Sequence, residues 1–351
     1  MCGIYAYIGN EIEYAKKYNE IQKRGPDNTV IKQISKNVHF CFHRLMINDL
    51  SDSGNQPLQY NNISLICNGE IYNSDKLRQE FNIEFQSNSD CEVLIHMYLK
   101  YGFKQMLEKL DGVFALILHD ESTKQMWIGR DPFGVRPMFF GNNEDNGSIE
   151  IASEIKAIQN SFQTSQFPAG HFMKIELENL QCTEPERYHF LNKNLFLDGM
   201  PYSFYTEKIK EKFEDAVKKR LMSDRPIGCL LSGGLDSSLV CGIVAREFKK
   251  NNKGILNTFS IGFEGSTDLL YAKKVADHIG SNHHEILLKE IDFINAIPHV
   301  IKTIESYDTT TVRASVGNYL VGKYIKEETD ITVVFNGDGS DEAAGGYLYL
   351  K

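Results

Sequence analysis

The sequence predicts two domains of different class, an α+β domain followed by an α/β domain built on a parallel sheet. Three observations predict it. The 351 residues suffice for two cores at roughly 100–200 residues per domain. The hydrophobic pattern changes character near residue 200, after a polar, aromatic and weakly periodic stretch carrying Pro185 and Pro201. Beyond it, continuous β-branched strands alternate with amphipathic helices, which indicates a parallel sheet covered on both faces. The domains are read as 1–185 and 205–351, with 186–204 as a linker.

In the first domain, short apolar runs broken by Gly, Asn and Asp predict strands at 3–8, 38–45, 64–67, 113–119, 125–128 and 138–140,. Val93, Leu94, Met97, Tyr98 and Tyr101 share one helical face. A helix is therefore expected over 90–101, with Ser89 and Asp90 as its caps and Gly102 as its stop,. A shorter helix is expected at 103–110. In the second domain the same periodicities predict helices at 205–222, 237–249, 269–279, 291–305 and 314–328, and strands at 227–231, 256–263 and 331–335,.

The formal charge of −9 comes from 38 basic and 47 acidic residues, and with 42% hydrophobic and 24% charged residues the chain reads as ordinary globular protein,. No apolar run approaches the ~18 residues of a membrane-spanning helix, and the opening MCGIYAYIGN has no basic flank of a secretory leader,. An acidic balance without Lys/Arg blocks argues against nucleic acid or an anionic membrane as partner. The seven cysteines are scattered, odd in number and without a Cys-x-x-Cys pair. A disulfide framework or zinc site is not expected, and a reducing, cytoplasmic compartment is. A homodimer is among the assemblies the sequence leaves open.

The strongest chemical signal is Leu231-Ser232-Gly233-Gly234-Leu235-Asp236-Ser237-Ser238, which leaves a buried strand and enters a helix. Such a turn aims backbone N–H groups and the positive helix end at one point, a cradle for phosphate. It is no Walker A loop, since no Lys-Ser/Thr follows the glycines. Asp236 suggests a metal escorting the phosphates, because a bare carboxylate would repel them. The plain alternative is a tight turn capped by serines. A second turn, Asn336-Gly337-Asp338-Gly339-Ser340-Asp341-Glu342, follows the strand at 331–335. Both fall at strand carboxyl ends, where open parallel sheets bind ligands; a solvated acidic loop is the alternative. A third segment, 308–313, could present Thr310 and Arg313 to a carboxylate or phosphate,.

Cys2 stands apart from the other thiols. With Met1 removed, its own α-amine, with a pKa of about 8, could accept the thiol proton from a group at about 8.5. Arg24-Gly25-Pro26-Asp27, Arg44, Asn68-Gly69-Glu70 and Asp90 form a set around that idea. Arg44 suits a carboxylate, Glu70 and Asp90 an ammonium, and the Asn68 amide with the Gly69 N–H an oxyanion. Singly, each is also an ordinary turn or cap residue.

MCGI, RGPD, HRL, NGEIYN, SDCEV, GRDPFGVRP, LLSGGLDSS, DTTTVRAS and GDGSDE occur in this order along the whole chain, and in this it resembles the glutamine-hydrolysing asparagine synthetases. The resemblance implies a class II glutaminase domain, an αββα sandwich of the N-terminal-nucleophile kind, then a Rossmann-like ATP-pyrophosphatase domain. It implies Cys2 as nucleophile, Asn68 and Gly69 as oxyanion hole, and a glutamine site of Arg44, Asn68, Glu70 and Asp90. ATP is expected at Leu231, Ser232, Gly233, Gly234, Asp236, Ser237, Ile261, Asn336 and Gly337. Mg²⁺ is expected at Asp236 and Asp341, the catalytic carboxylate at Asp338 (where the family often has Glu), and aspartate or its adenylate near Thr310 and Arg313. Glutamine, aspartate and ATP are the implied substrates. The family continues beyond the position of Lys351 with a helical region carrying further active-site residues, so the second domain is expected to be incomplete. A glutaminase alone, another amidotransferase-linked amide synthetase, and an inactive binding module remain open alternatives.

Overall fold

All six residues of the first strand, Gly3–Ile8, are buried, because a layer covers each of its faces. Ile4, Ala6 and Ile8 point into the space between two sheets, while Tyr5 and Tyr7 lie with Ile21 and Ala157 on the other side. In the computed structural model, which describes residues 1–9, 16–159, 162–190 and 199–347, the chain divides into two compact units, Met1–Leu197 and Asp198–Lys351.

The strands of the first unit are β1 (Gly3–Ile8), β2 (Asn28–Ser35), β3 (Val38–Arg44), β4 (Leu58–Tyr60), β5 (Ile63–Ile71), β6 (Gly112–Asp120), β7 (Gln125–Arg130), β8 (Phe139–Asn142), β9 (Ile149–Ala152), β10 (Gln163–Gln166), β11 (His171–Glu176), β12 (Gln181–Cys182) and β13 (Glu186–Arg187). One antiparallel sheet has the order β10-β8-β9-β1-β3-β2, and the other β12-β11-β7-β6-β5-β4 with β13 on β11. Ile66, Ile117, Ile128 and Met173 of the second sheet face Ile4, Phe40 and Ile151 of the first across a dry interior. The helices α1 (Ser74–Arg78), α2 (Val93–Tyr101) and α3 (Phe103–Lys109) cover the outer face of the second sheet through Leu94, Met97, Phe103 and Met106. Among the described residues, 3₁₀ turns at Lys16–Arg24 and Ile155–Ala157 cover the first. The layers are those of the αββα sandwich.

The second unit contains α4 (Tyr202–Lys219), β14 (Ile227–Leu230), α5 (Leu235–Lys250), β15 (Asn257–Gly262), α6 (Thr267–Ile279), β16 (Asn282–Leu287), α7 (Glu290–Ile304), α8 (Thr309–Glu328), β17 (Val333–Phe335) and α9 (Ser340–Ala344). Its sheet, β16-β15-β14-β17, is parallel throughout. Val217, Val240, Val244 and Ala272 from α4, α5 and α6 pack on one side of it, and Val321 and Ile325 from α8 meet Phe259 and Ile286 on the other.

Two local expectations are corrected. Ser89 and Asp90 do not cap α2, which starts at Val93 after Glu92; the Asp90 carboxylate instead accepts the Ile71 N–H at 2.7 Å. Residues 309–313 are the first turn of α8, not a loop, because the Asp308 carboxylate caps it by accepting the Thr311 N–H at 2.8 Å. The sheet also runs on past 185, since β13 pairs with β11 and Tyr188 is buried in the core beneath the helices. Residues 191–198 of the expected linker, and the terminal 348–351, lie outside the described residues.

Candidate active site

Antiparallel pairing of β1 with β3 sets Gly3 opposite His43, which carries the preceding Cys2 to the end of β3. There its Sγ lies 3.4 Å from Leu45 N and 3.6 Å from Leu45 O. Arg24 fixes the backbone, with Nε donating to the Cys2 carbonyl at 3.0 Å and Nη1 paired to Glu154 at 2.6 Å. One cavity of about 40 Å³ is lined by Cys2, Arg44, Asn68, Gly69, Glu70 and Asp90 together with Met1 and Arg136. The residues nominated for the glutaminase site thus converge, from the ends of β1, β3 and β5 and from the turn before α2. With Met1 in the lining, the space holds a few waters at most.

The polar groups divide into committed and waiting ones. Asn68 is buried and its Nδ2 has no hydrogen-bond partner among the described residues; such an orphan donor costs stability and is the group an oxyanion hole requires. Burial pushes the Asp90 carboxyl up to about 6, with the nearby Glu70 charge adding to the effect. Arg44 is tied to its own wall: Nη1 donates to Ser51 O at 2.7 Å and Asn55 Oδ1 at 2.9 Å, and Nη2 donates to Asp49 O. Its guanidinium therefore shapes the loop that bounds the cavity as well as facing it. Burial lowers the amine of Met1 to about 6, an effect that the charges of Arg136 and Arg24 reinforce, and burial raises the Cys2 thiol.

Arg136 was named by sequence only as part of GRDPFGVRP. Its delivery to the cavity depends on a fold that linear spacing does not display. The Asp131 carboxylate accepts the N–H groups of Phe133, Val135 and Arg136, each at 3.0 Å, and Arg130 donates to the carbonyls of Arg136 and Gly134 at 2.8 and 2.7 Å. The Arg-Asp pair was the available signal.

In the second unit, the turn after β14 is held by Ser232 Oγ and Ser237 Oγ, 2.9 Å apart, and by Ser238 Oγ donating to Gly234 O at 2.6 Å. No side chain of its N-cap residue, Gly234, caps α5. Gly233, at φ +83°, could not carry a Cβ, which would lie 2.5 Å from Ala272 N. Leu231 is buried and its N–H donates to Phe259 O at 2.8 Å; Ile261, on β15, packs against the cluster that includes Val321 and Ile325 of α8. The second turn meets the first, since a Cβ on Gly337 would lie 2.8 Å from Ser237 N and 3.1 Å from Asp236 Cβ. Asn336 Nδ2 donates to Asp338 Oδ2 at 2.6 Å, while desolvation and Glu342 raise the Asp338 carboxyl. Asp341 lies in the first turn of α9. Thr310 and Arg313 are exposed, and Arg313 borders an apolar groove between α7 and α8 rather than either turn.

The donor set fits a nucleotide-bound Mg²⁺. No group of three or more His, Cys, Asp or Glu side chains among the described residues could hold a metal alone. A magnesium ion carried by phosphates needs only one or two carboxylates; Asp236 in the first turn of α5 and Asp341 in the first turn of α9 are the residues that would supply them.

Comparison with known proteins gives the class first: the family model of the glutamine amidotransferase domain matches residues 1–212, the unit that holds Cys2 and its pocket. A second family model, asparagine synthase, matches residues 208–351. The glutamine-hydrolysing asparagine synthetases of Pongo abelii and Homo sapiens are each 40% identical over 379 aligned positions, and that of Gallus gallus 41%; every alignment covers 100% of this chain and 67% of the relative. The chain belongs to the family of glutamine-hydrolysing asparagine synthetases.

Proposed function

We propose that the chain makes asparagine from aspartate in an ATP-dependent reaction with glutamine as nitrogen donor, the unit Met1–Leu197 being the glutaminase and the unit Asp198–Lys351 the synthetase part. The observation that carries the first half is the orphan Asn68 Nδ2 in the same pocket as Cys2. Loss of Met1 would expose the Cys2 amine as proton acceptor and enlarge the cavity. The thiolate then adds to the glutamine side-chain amide, Asn68 Nδ2 and the Gly69 N–H stabilise the oxyanion, and ammonia leaves a thioester that water hydrolyses to glutamate. Glu70 and Asp90 would take the substrate ammonium, and Arg44 its carboxylate.

In the second half, the α5 N-terminus with Ser232, Gly233, Gly234 and Ser237 would cradle the ATP phosphates. Leu231, Ile261, Asn336 and Gly337 would border the nucleotide, with Asp338 beside the reacting groups. Held by Asp236 and Asp341, Mg²⁺ would supply charge neutralisation at the phosphates. Aspartate's β-carboxylate displaces pyrophosphate to form β-aspartyl-AMP, and ammonia displaces AMP. This activation is needed because a carboxylate has no usable leaving group. Free thiols at all seven cysteines support a cytoplasmic address, and we take a homodimer as the assembly to test.

The test is aspartate-dependent AMP release by the purified 351-residue chain, with glutamine or ammonium as donor. Cys2→Ala should abolish the glutamine-driven reaction and spare the ammonium-driven one; equal loss of both refutes the two-site reading. Glutamate without AMP would leave only the glutaminase half.

A further inference from the structure

We propose that Arg136 is a further positioning residue of the nucleophile's pocket, orienting Glu70 through Nη2 and holding a buried cation beside the Cys2 centre. The inference rests on the reading of Cys2 as nucleophile and goes beyond it. Arg136 Nη2 lies 3.4 Å from Glu70 Oε1, with both side chains less than one fifth exposed. Its Nε is buried and has no hydrogen-bond partner among the described residues. The loop that delivers it is built for the purpose, with Asp131 accepting three of its N–H groups and Arg130 bonded to the Arg136 carbonyl. Arg44 and Arg24, the other cations near Cys2, are bonded to the 48–55 wall and to Glu154. Arg136 is thus the cation with a donor to spare.

A cation here acts on the reaction in two ways. It holds Glu70 against the repulsion of Asp90, so that both carboxylates can face an ammonium. It also disfavours the protonated form of a neighbouring amine; in this structure that amine is Met1's, lowered chiefly by burial with Arg136 adding to the effect, and after loss of Met1 it would be that of Cys2. Other charged or titratable groups facing the amine and thiol are Arg24 on the 3₁₀ turn with its partner Glu154, Arg44 on β3, Cys67 and Glu70 on β5, and Asp90 and Cys91 before α2.

The experiment measures glutamate release against pH for the parent chain, Arg136→Gln, Arg136→Lys and Cys2→Ala, each checked for folding by circular dichroism. Removing the cation lets the amine hold its proton to higher pH. Arg136→Gln should therefore move the acid limb of kcat/KM upward by about one pH unit. Arg136→Lys keeps the charge but loses the fork, so its limb should stay with the parent's while KM for glutamine rises about tenfold. An unshifted limb in folded Arg136→Gln overturns the proposal, and so does an unchanged KM in Arg136→Lys. If Arg136→Gln does not fold, the Lys variant alone decides through KM. A parent inactive toward glutamine, or an active Cys2→Ala, refutes instead the reading of Cys2.

Discussion

Asp90→Asn should stabilise the first unit while weakening its chemistry. Burial raises the Asp90 carboxyl from an ordinary 3.8 to about 6. A carboxyl whose pKa is higher folded than unfolded favours the folded state when protonated. That advantage is complete below about 3.8 and lost as pH rises through about 6,. Two units correspond to ~3 kcal/mol forfeited near pH 8 by keeping a charge in this pocket. Asn retains an acceptor for the Ile71 N–H, now at 2.7 Å, but must re-arrange against Asn48 Nδ2 at 3.5 Å, at a cost of ~1 kcal/mol. The net gain of ~2 kcal/mol corresponds to a Tm increase of ~4–8 °C for a unit of this size. At pH 5 the cost of ionisation is roughly half as large, and the gain falls below ~1 kcal/mol. The sole tryptophan, Trp127, lies on β7 with its ring 5.2 Å from that of Phe103, so its fluorescence during heating reports this unit. A lower Tm at pH 8, or the same shift at both pH values, would refute the reasoning. In the same variant KM for glutamine should rise, since the ammonium loses a charged partner.

Asn68→Ala should cut kcat for glutamine hydrolysis by ~100–1,000-fold, the usual cost of one oxyanion donor, with little loss of Tm because the Nδ2 donor it removes has no partner among the described residues; glutamate assays and melting curves check both. A one-residue extension after Met1 that blocks its removal should abolish glutamate release and leave ammonium-driven AMP release intact, with mass spectrometry verifying the terminus. Gly337→Ala places a methyl 2.8 Å from Ser237 N and should remove ATP–pyrophosphate exchange while glutaminase activity persists. Asp236→Ala should give the same split without disturbing the melting of the second unit.

Legibility in the sequence was greatest where an apolar run was both long and continuous. The strand expected at 3–8 is β1 residue for residue, since apolar residues on both faces leave no doubt about period, and the expected helix at 237–249 differs from α5 only at its ends. The expected strands omit the short interior strands β9 and β11, whose few residues give too brief an apolar run, and several edge strands. β2, with adjacent Val30 and Ile31 among polar residues, borders one sheet, and β16, Asn282–Leu287, with two adjacent histidines, borders another. Edge strands bury only part of their surface, so their apolar signal is weak. The threonine run at 309–311 reads as non-helical by propensity, yet the Asp308 cap overrides that preference. For the site, residue types nominated Cys2, Arg44, Asn68, Glu70 and Asp90 because each chemistry needs a particular group. Arg136 was not nominated because its approach depends on the turn that Arg130 and Asp131 create.

The contact of Gly337 with the backbone of Asp236 and Ser237 has a thermodynamic corollary. The segments following β14 and β17 cannot adjust independently, so whatever settles on one alters the affinity of the other for its own guest. By reciprocity, the effect is equal in both directions. Nucleotide and acidic co-substrate should therefore bind this unit with measurable cooperativity, and its sign will tell whether the glycine acts as a latch or a wedge.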